Sequence, residues 1–159
     1  MSTILVNIPN VNGSSTISGH LDEIECRAIR HAMSKQMVAK ATRTEGASRH
    51  GAFELTHGID RATPKLKDLA TKGTVHNTVV IEEMRMVGEE YETIYRFDLS
   101  NVVIVRVEVD TPVDPTTNEP GELTETFALA YTRVEWTYTP YDGTTKQPAV
   151  TGAYPAAAA

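Results

Sequence analysis

The stretch that decides the fold is TETFALAYTRVEWTY, residues 124–138. Apolar and polar residues alternate along it, which is typical of a half-buried β-strand. The apolar residues fall in two frames: Phe127, Leu129 and Tyr131 in the first, and Val134, Trp136 and Tyr138 in the second. A slip of one residue normally turns a hydrophobic set toward water. We therefore expect either a β-bulge near Thr132-Arg133, which restores the inward face, or a second half that a neighbouring subunit covers.

The same period of two recurs upstream and predicts a mainly β protein. We expect strands at residues 4–8, 21–33, 53–55 and 79–87, followed by two separate strands whose inward faces hold Thr93, Tyr95, Phe97 and Leu99, and then Val103, Val105, Val107 and Val109. In the strand at 21–33, Ile24, Cys26 and Ala28 share one face. About seven or eight strands in a chain of this length predict a compact β-barrel of two packed sheets.

One short helix is predicted on the flank of the barrel, at about residues 63–72. Thr63 has the hydroxyl of a good N-cap residue, and Pro64 fits the first helical position. Gly73 supplies a left-handed stop just after the helix. A helix of about ten residues is too short to be stable alone, so it must pack on the sheet.

Two segments lack a strand period. Residues 38–50 are polar and small, which predicts a long protruding loop of the kind that is often functional. Residues 143–159 contain one charged residue and are rich in Ala, Thr and Gly, which predicts a flexible tail. We therefore expect a single β-barrel domain at residues 1–142 and a low-complexity C-terminal tail at residues 143–159.

Composition excludes several classes of function. The net charge of −6 and the pI near 5.3 argue against a nucleic-acid partner, which would require a basic face. The apolar runs are far shorter than the roughly 20 residues that span a bilayer, so we expect no membrane insertion. The N-terminal residues do not have the pattern of a Sec signal. The single cysteine, Cys26, excludes an intrachain disulfide and fits synthesis in a reducing cytosol.

Catalysis by Cys26 with His31 as its base is disfavoured. The two residues are five positions apart on one predicted strand, so their side chains point to opposite faces. Cys26 alternates with apolar neighbours, and we interpret it as a small core residue. We expect no catalytic site.

Metal and cofactor sites are also not expected. The histidines, which we interpret as scattered surface or interface imidazoles, show no metal-ligand spacing: His20, His31, His50, His57 and His76. The carboxylates of one Pro-rich loop lack the order of a calcium loop and are interpreted as solvated: Asp110, Asp114, Glu119 and Glu122. No glycine pattern of a nucleotide cradle is present.

Two stretches resemble the haemolysin-coregulated protein family. FELTHGIDRATPKL, residues 53–66, running on to ATKG at 70–73, is similar to the family's strand-to-helix segment, Thr-Lys-x-x-Asp-Lys-Ser/Ala-Ser/Thr-Pro-x-Leu. The stretch 124–138 resembles the family's final strand, Thr-Glu-x-φ-x-Leu-x-Tyr-x-Lys-Ile-x-Trp-x-Tyr (φ apolar), including its frame slip. The resemblance covers roughly residues 3–141. His57-Gly58 and Lys72-Gly73 depart from the pattern, and the loop at 39–50 lacks the family's frequent glycines.

The resemblance implies a tube subunit of a bacterial type VI secretion system that is structural and has no enzymatic activity. Such a barrel assembles as a hexameric ring, and rings stack into a hollow tube that carries effectors inside a contractile sheath. The implied partners are copies of the chain, the sheath, spike and baseplate proteins, and secreted effectors. The implied location is the bacterial cytoplasm and then the exterior, by a route without a Sec signal.

For the subunit contacts we expect a basic loop against acidic residues of a neighbouring copy. The candidate contact residues are Lys40, Thr42, Arg43, Glu45, Arg49, His50, Glu82 and Glu89. Two other functions stay open on the sequence. One is a tail-tube subunit of a phage-like contractile particle, and the other is a small secreted β-barrel module with a ligand inside the barrel.

Overall fold

The structure is a computed structural model that describes residues 2–35 and 48–155. One helix, α1 (Thr63–Lys72), lies in these ranges. The strands are β1 (Ser2–Asn7), β2 (Ile24–Cys26), β3 (Ala28–Arg30), β4 (Met33–Lys35), β5 (Ser48–His50), β6 (Phe53–Gly58), β7 (Val75–Val87), β8 (Glu90–Asp110), β9 (Thr124–Ala130), β10 (Arg133–Tyr138), β11 (Tyr141–Asp142), β12 (Thr145–Lys146) and β13 (Val150–Tyr154).

Nine of these strands form one antiparallel sheet in the order β2-β1-β7-β8-β9-β6-β3, with β10 paired to β8 and β13 paired to β10. The pairs β4–β5 and β11–β12 are separate two-stranded ribbons. The predicted mainly β fold with one short helix is therefore confirmed, whereas the division into two sheets is not. The ends of the sheet meet at Arg27, whose amide donates to Thr56 O at 2.7 Å. Within the described residues no ladder joins these ends, so the barrel is not closed.

The core fills the concave side of the sheet. Fully buried side chains from seven strands and the helix meet there: Val6, Ile24, Phe53, Leu55, Leu66, Val79, Ile81, Leu99, Phe127, Leu129 and Val134. Phe53 and Phe97 pack edge to face with centroids 5.0 Å apart. Burial of this apolar surface is the main stabilising contribution, and the inward residues of each strand follow the period of two.

The predicted frame slip of the final strand is confirmed, and it coincides with a kink in β8. The strand breaks at Tyr131-Thr132, between β9 and β10, and both halves pair with β8. Opposite the break, Asn101 adopts φ 52°, and its side-chain amide donates to Thr132 Oγ1 at 3.0 Å. The inward-facing positions shift by one residue at Asn101 in β8 and, opposite it, at the break between β9 and β10. Leu129 and Val134 are therefore both fully buried, although they belong to different frames. The break itself restores the inward face, as the bulge interpretation predicted.

The prediction of two separate strands between residues 93 and 109 is wrong, because β8 runs unbroken through Asn101. The predicted inward frame was also wrong for Val105 and Val109, whereas Val107 packs against the core as expected. Val102 and Ile104 are buried, while Val105 and Val109 are exposed. The register shifts between Ile104 and Arg106, so the bulge residue Val105 interrupts the alternation that the valines suggested.

The predicted strand at residues 21–33 is also divided. β2 pairs with β1 and β3 pairs with β6, so the chain changes from one end of the sheet to the other at Arg27. Ile24 and Cys26 are buried as expected. Ala28 is exposed instead, because the change of partner strand shifts the frame and Ile29 packs on the core.

The helix lies where it was predicted, but Thr63 is not its N-cap. The capping position is Ala62, and Asp60 Oδ1 accepts from the Ala62 amide at 2.8 Å. The Thr63 hydroxyl instead accepts from the Asp60 amide at 3.1 Å. Pro64 in the first turn and the left-handed Gly73 at the end are confirmed. The Gly73 amide donates to Ala70 O, which satisfies a carbonyl of the last turn.

The C-terminal segment is more regular than its composition suggested. Residues 141–146 form the β11–β12 ribbon, and β13 adds to the edge of β10 with Val134 opposite Tyr154. Arg133 donates to Pro155 O, which fixes the end of this strand. A flexible tail from residue 143 onward was therefore the wrong interpretation for residues 145–154, because backbone pairing orders a segment with few side chains to bury.

Candidate functional site

The two strands of the β4–β5 ribbon flank the expected contact loop in the sequence. Met33 pairs with His50, and Ser34 pairs with Arg49. The end of the predicted loop, residues 48–50, is thus a strand. Lys40, Thr42, Arg43 and Glu45 lie outside the described residues. Of the candidate residues on the ribbon, Arg49 is exposed and His50 is half-buried.

A cluster of aromatic and imidazole rings supports this ribbon. His50 stacks on Tyr154 with ring centroids 3.7 Å apart, and its ring lies 6.4 Å from that of Trp136. His31 stacks on Phe53, with centroids 3.9 Å apart and planes within 2°. The ribbon is therefore attached by ring stacking to the β-sheet and to the C-terminal strand.

The tautomer of His31 follows from the hydrogen bonds around it. Tyr131 Oη donates to Gly51 O at 3.1 Å, and this hydroxyl has only one proton. His31 Nε2, 2.6 Å from the same hydroxyl, is therefore the donor to it. Burial, and secondarily the charge of His50, lower the pKa of His31. Burial raises the pKa of Tyr131 to about 12, with a smaller effect of Tyr154, so the hydroxyl keeps its proton.

Glu82, a candidate contact residue, is turned inward. It is 7% exposed, and its carboxylate accepts from Thr93 Oγ1 and lies 3.8 Å from Arg96 Nη1. His20 Nδ1 lies 3.9 Å from Glu82 and 2.6 Å from Glu23. Little of the Glu82 carboxylate is left for a neighbouring subunit to contact.

His20, Glu23 and Glu82 form the one convergence of three potential metal ligands among the described residues. Burial raises the pKa of Glu23, and His20 partly offsets that effect. Each carboxylate already has a protein partner, and the nearby Arg96 guanidinium opposes a further cation. The arrangement is that of a buried ion-pair network, which commonly perturbs pKa values without binding a metal.

Glu89 lies in the tight turn between β7 and β8, next to Gly88, whose φ of 66° permits the turn. The residue is exposed, as is its neighbour Glu90. This turn belongs to the end of β8 that precedes Asn101. His50 of the ribbon contacts Trp136, which pairs with Phe97 of β8. Phe97 also precedes Asn101, so the turn and the ribbon lie on the same side of the kink at Asn101.

His57 and Glu125 form a buried pair that the sequence did not suggest. His57 Nε2 lies 2.8 Å from Glu125 Oε1, and both side chains are fully buried. His57 Nδ1 and Glu125 Oε2 have no hydrogen-bond partner, although Asp60 Oδ2 is 3.4 Å from the former. The interpretation of all five histidines as surface or interface residues is wrong for His57 and for His76, which is also buried. The alternation of Phe53, Leu55 and His57 is the signal that places His57 inward.

Cys26 and His31 bond to different partners. Cys26 Sγ donates weakly to Ile24 O at 3.9 Å, whereas His31 bonds to Tyr131. Burial, and secondarily Asp60 and Glu25, raise the pKa of the Cys26 thiol, so the thiolate that a nucleophile needs is disfavoured. The core interpretation of Cys26 is confirmed by its burial.

The interior is packed with side chains, which bears on the ligand-binding alternative. A depression of about 450 Å³ between Ser2, Glu25, Asp60 and Tyr91 is open to solvent and is not an enclosed cavity. In the described part of the chain, no helix has the length and apolar character needed to cross a membrane.

Residues 5–138 match the family model described as "Type VI secretion system effector, Hcp". The chain belongs to the Hcp family. Hcp proteins are the structural tube subunits of the type VI secretion system and are secreted by it, so this Hcp chain is a tube subunit. The sequence matches none of the curated proteins.

Solved Hcp structures share the fold at low identity. Hcp1 from Salmonella typhimurium is 19% identical, with a TM-score of 0.75 over 96% of this chain and 93% of that one. A type six secretion system protein of unstated source gives a TM-score of 0.82 at 19% identity over the same shares. The secreted protein Hcp3 from Pseudomonas aeruginosa gives 0.62 at 15% identity, over 96% and 95% of the two chains.

Proposed function

We propose that this Hcp chain acts by forming hexameric rings that stack into the inner tube of a type VI secretion system and carry effectors. The observation that carries the proposal is an Hcp fold over nearly the whole chain around a filled interior. A filled barrel has no room for a ligand of its own. Its function is then expected at its outer surfaces, which contact other copies of the chain.

The proposed partners are copies of the chain, the sheath, spike and baseplate proteins, and the effectors that travel with the tube. Export would follow the type VI route without a Sec signal, and we assign no enzymatic activity. Lys40, Thr42, Arg43 and Glu45 stay proposed subunit contacts, within or between rings, together with Arg49, His50 and Glu89. Glu82 is assigned no contact because its carboxylate is occupied inside the subunit.

The oligomeric state of the purified full chain tests the proposal. Sedimentation velocity should give a species with six times the mass of the 17.4 kDa chain, and negative-stain images should show rings with a central hole. A protein that stays monomeric at high concentration contradicts the proposal. Hydrolytic activity of the purified protein that is abolished by Cys26→Ser would contradict the assignment of a purely structural role.

A further inference from the structure

The connection between β8 and β9, residues 111–123, folds back on itself as an extended hairpin, which we call the finger. Val113 and Pro120 form a β-bridge, and the Gly121 amide donates to Pro112 O at 2.6 Å. The Asp114 amide donates to Glu119 O at 2.9 Å, which closes the tip. The finger is therefore held by its own hydrogen bonds and loses little conformational freedom when it meets a partner.

The surface of the finger is acidic and partly apolar. Asp110 at its base and Asp114, Glu119 and Glu122 along it carry four carboxylates, and residues 107–123 contain no Lys or Arg. Within the described ranges no cation forms an ion pair with any of the four. Val113 is 56% exposed and Leu123 is 50% exposed. Unpaired charge around exposed apolar side chains is the composition of a contact surface.

The β4–β5 ribbon has the complementary composition. Lys35 and Arg49 are exposed, and neither pairs with a carboxylate in the part of the chain that the structure describes. Met33 on the same ribbon is 56% exposed. The ribbon thus presents one cation on each face, because Lys35 shares a face with Met33 whereas Arg49, opposite Ser34, lies on the other. The stack of His50 on Tyr154 holds the ribbon in place.

The finger and the ribbon lie at opposite ends of the same strands. In the β6–β9 ladder, Gly58 pairs with Thr124 at the base of the finger, and Phe53, which follows the ribbon, pairs with Leu129. Five residue steps of about 3.3 Å separate these ends by roughly 17 Å. A subunit with opposite charges at its two ends presents different surfaces to the copies above and below it.

We propose that the finger of one copy docks on the β4–β5 ribbon of a second copy and forms the stacking contact between rings. The inference rests on the proposed function, in which the chain forms rings that stack. A contact between two different patches is heterologous, so it does not close on itself and the stack stays open-ended. The exposed Glu89-Glu90 turn fits this role less well, because it lies on the same side of the Asn101 kink as the ribbon.

The strength of such a contact follows from its exposure. Ion pairs between exposed side chains contribute on the order of 0–1 kcal/mol each and are weakened by salt. A ring repeats the contact once per subunit, so weak contacts combine by multivalency into a stable stack. Stacking is therefore expected to depend on ionic strength much more than ring formation does.

Charge-swap variants of the full chain test the contact. The finger variant is Glu119→Lys/Glu122→Lys, the ribbon variant is Lys35→Glu/Arg49→Glu, and a third protein combines all four changes. Glu25→Lys/Asp142→Lys is the matched control, because it reverses two exposed carboxylates that are assigned no contact. Sedimentation velocity and negative-stain imaging at about 0.05 M and about 0.5 M salt separate rings from stacks.

We expect the unmodified protein to form stacks at low salt. The finger variant and the ribbon variant should each form rings that do not stack. The combined protein should stack again. Retained rings also show that the variants fold. Rings that stack equally well after reversal of the finger overturn the inference, as do stacks lost only in the Glu25/Asp142 control. Loss of the rings themselves in the finger variant would place the contact within the ring and overturn the stacking assignment. An unmodified protein without rings contradicts the proposed function instead.

Discussion

His50 and Tyr154 lie face to face, with ring centroids 3.7 Å apart and planes 16° from parallel, although they are far apart in the sequence. The stack joins the base of the proposed contact loop to the last strand of the sheet. Tyr154→Ala should lower the free energy of unfolding by about 1–2 kcal/mol, since an aromatic pair contributes about 0.5–1.5 kcal/mol beyond its buried area. Urea unfolding followed by tryptophan fluorescence measures this change. Tyr154→Phe keeps the ring and should unfold like the parent protein, and an equal loss in both variants would point to the hydroxyl instead.

The free energy of unfolding should fall on acidification because His31, in the cluster of aromatic and imidazole rings, resists protonation in the folded state. His31 faces His50, Tyr131 and Phe53, and burial followed by the charge of His50 lowers its pKa. The unfolded chain then binds more protons than the folded one below about pH 6.5, so the stabilisation is complete above that pH and is lost as the pH falls. Burial lowers the pKa of His76 as well, so this residue adds to the effect.

His31→Gln should therefore reduce the slope of the unfolding free energy between pH 7.5 and 5.5 and leave the part due to His76. Denaturant titrations at several pH values give the slope directly. An unchanged slope in this variant would show that His31 does not sense the acidification.

Removal of one partner of the His57–Glu125 pair should destabilise the folded protein. Glu125→Ala leaves an uncompensated imidazole in the core and is expected to cost about 3–5 kcal/mol. Glu125→Gln keeps an acceptor for His57 Nε2 and should cost clearly less. Thermal unfolding of both variants, with Asp142→Ala as an exposed acidic control, checks the order. Equal losses for the Ala and Gln variants would mean that packing, and not the hydrogen bond, dominates.

Cys26 should be inert to thiol reagents in the folded protein. The side chain is buried and its pKa is raised, so both access and thiolate formation are suppressed. Reaction with Ellman's reagent at pH 8 should be negligible without denaturant and complete in guanidinium chloride. Cys26→Ser supplies the background. Rapid labelling of the native protein would contradict the burial of this thiol.

Gly13 should not tolerate a side chain. A Cβ there would lie 2.5 Å from Glu23 O and 2.6 Å from Ile24 Cα, both backbone atoms that cannot rotate away. Gly13→Ala should destabilise the protein by about 1–3 kcal/mol, the usual effect of overpacking. Gly152→Ala is the matched control, because its Cβ would meet the Trp136 ring at an ordinary 3.6 Å. Differential scanning calorimetry of the two variants gives the comparison, and equal melting temperatures would refute it.

Local patterns predicted the parts of the fold that local physics determines. The frame slip near Thr132 was visible because alternating apolar residues report which face is buried, and Pro64 and Gly73 marked the helix because of their backbone preferences. The sequence analysis divided this region into two strands, although Thr132 bonds to Asn101 and the single strand β8 continues through that residue. A contact between distant residues decides such a case, and a single sequence does not contain it.

Pairing between strands that are distant in the sequence also explains three features that the sequence did not reveal. β13 has the composition of a tail, and only the free edge of β10 gives it a partner. His57 and Glu125 are 68 positions apart, so their pairing depends on the register of β6 and β9. The acidic finger was recognised as a loop rich in carboxylates, but its position opposite the ribbon follows from the ladder alone.

The position of β8 has a consequence for synthesis of the chain. β8 is flanked by β7, which precedes it, and by β9 and β10, which follow it, so a nascent chain that ends near Asp110 has one long edge of β8 unpaired. Unpaired edges of this length invite aggregation with other chains. This edge of β8 has no partner within its own molecule until β9 and β10, which end at residue 138, have left the ribosome. A chaperone would therefore be needed most while residues 111–138 are being translated.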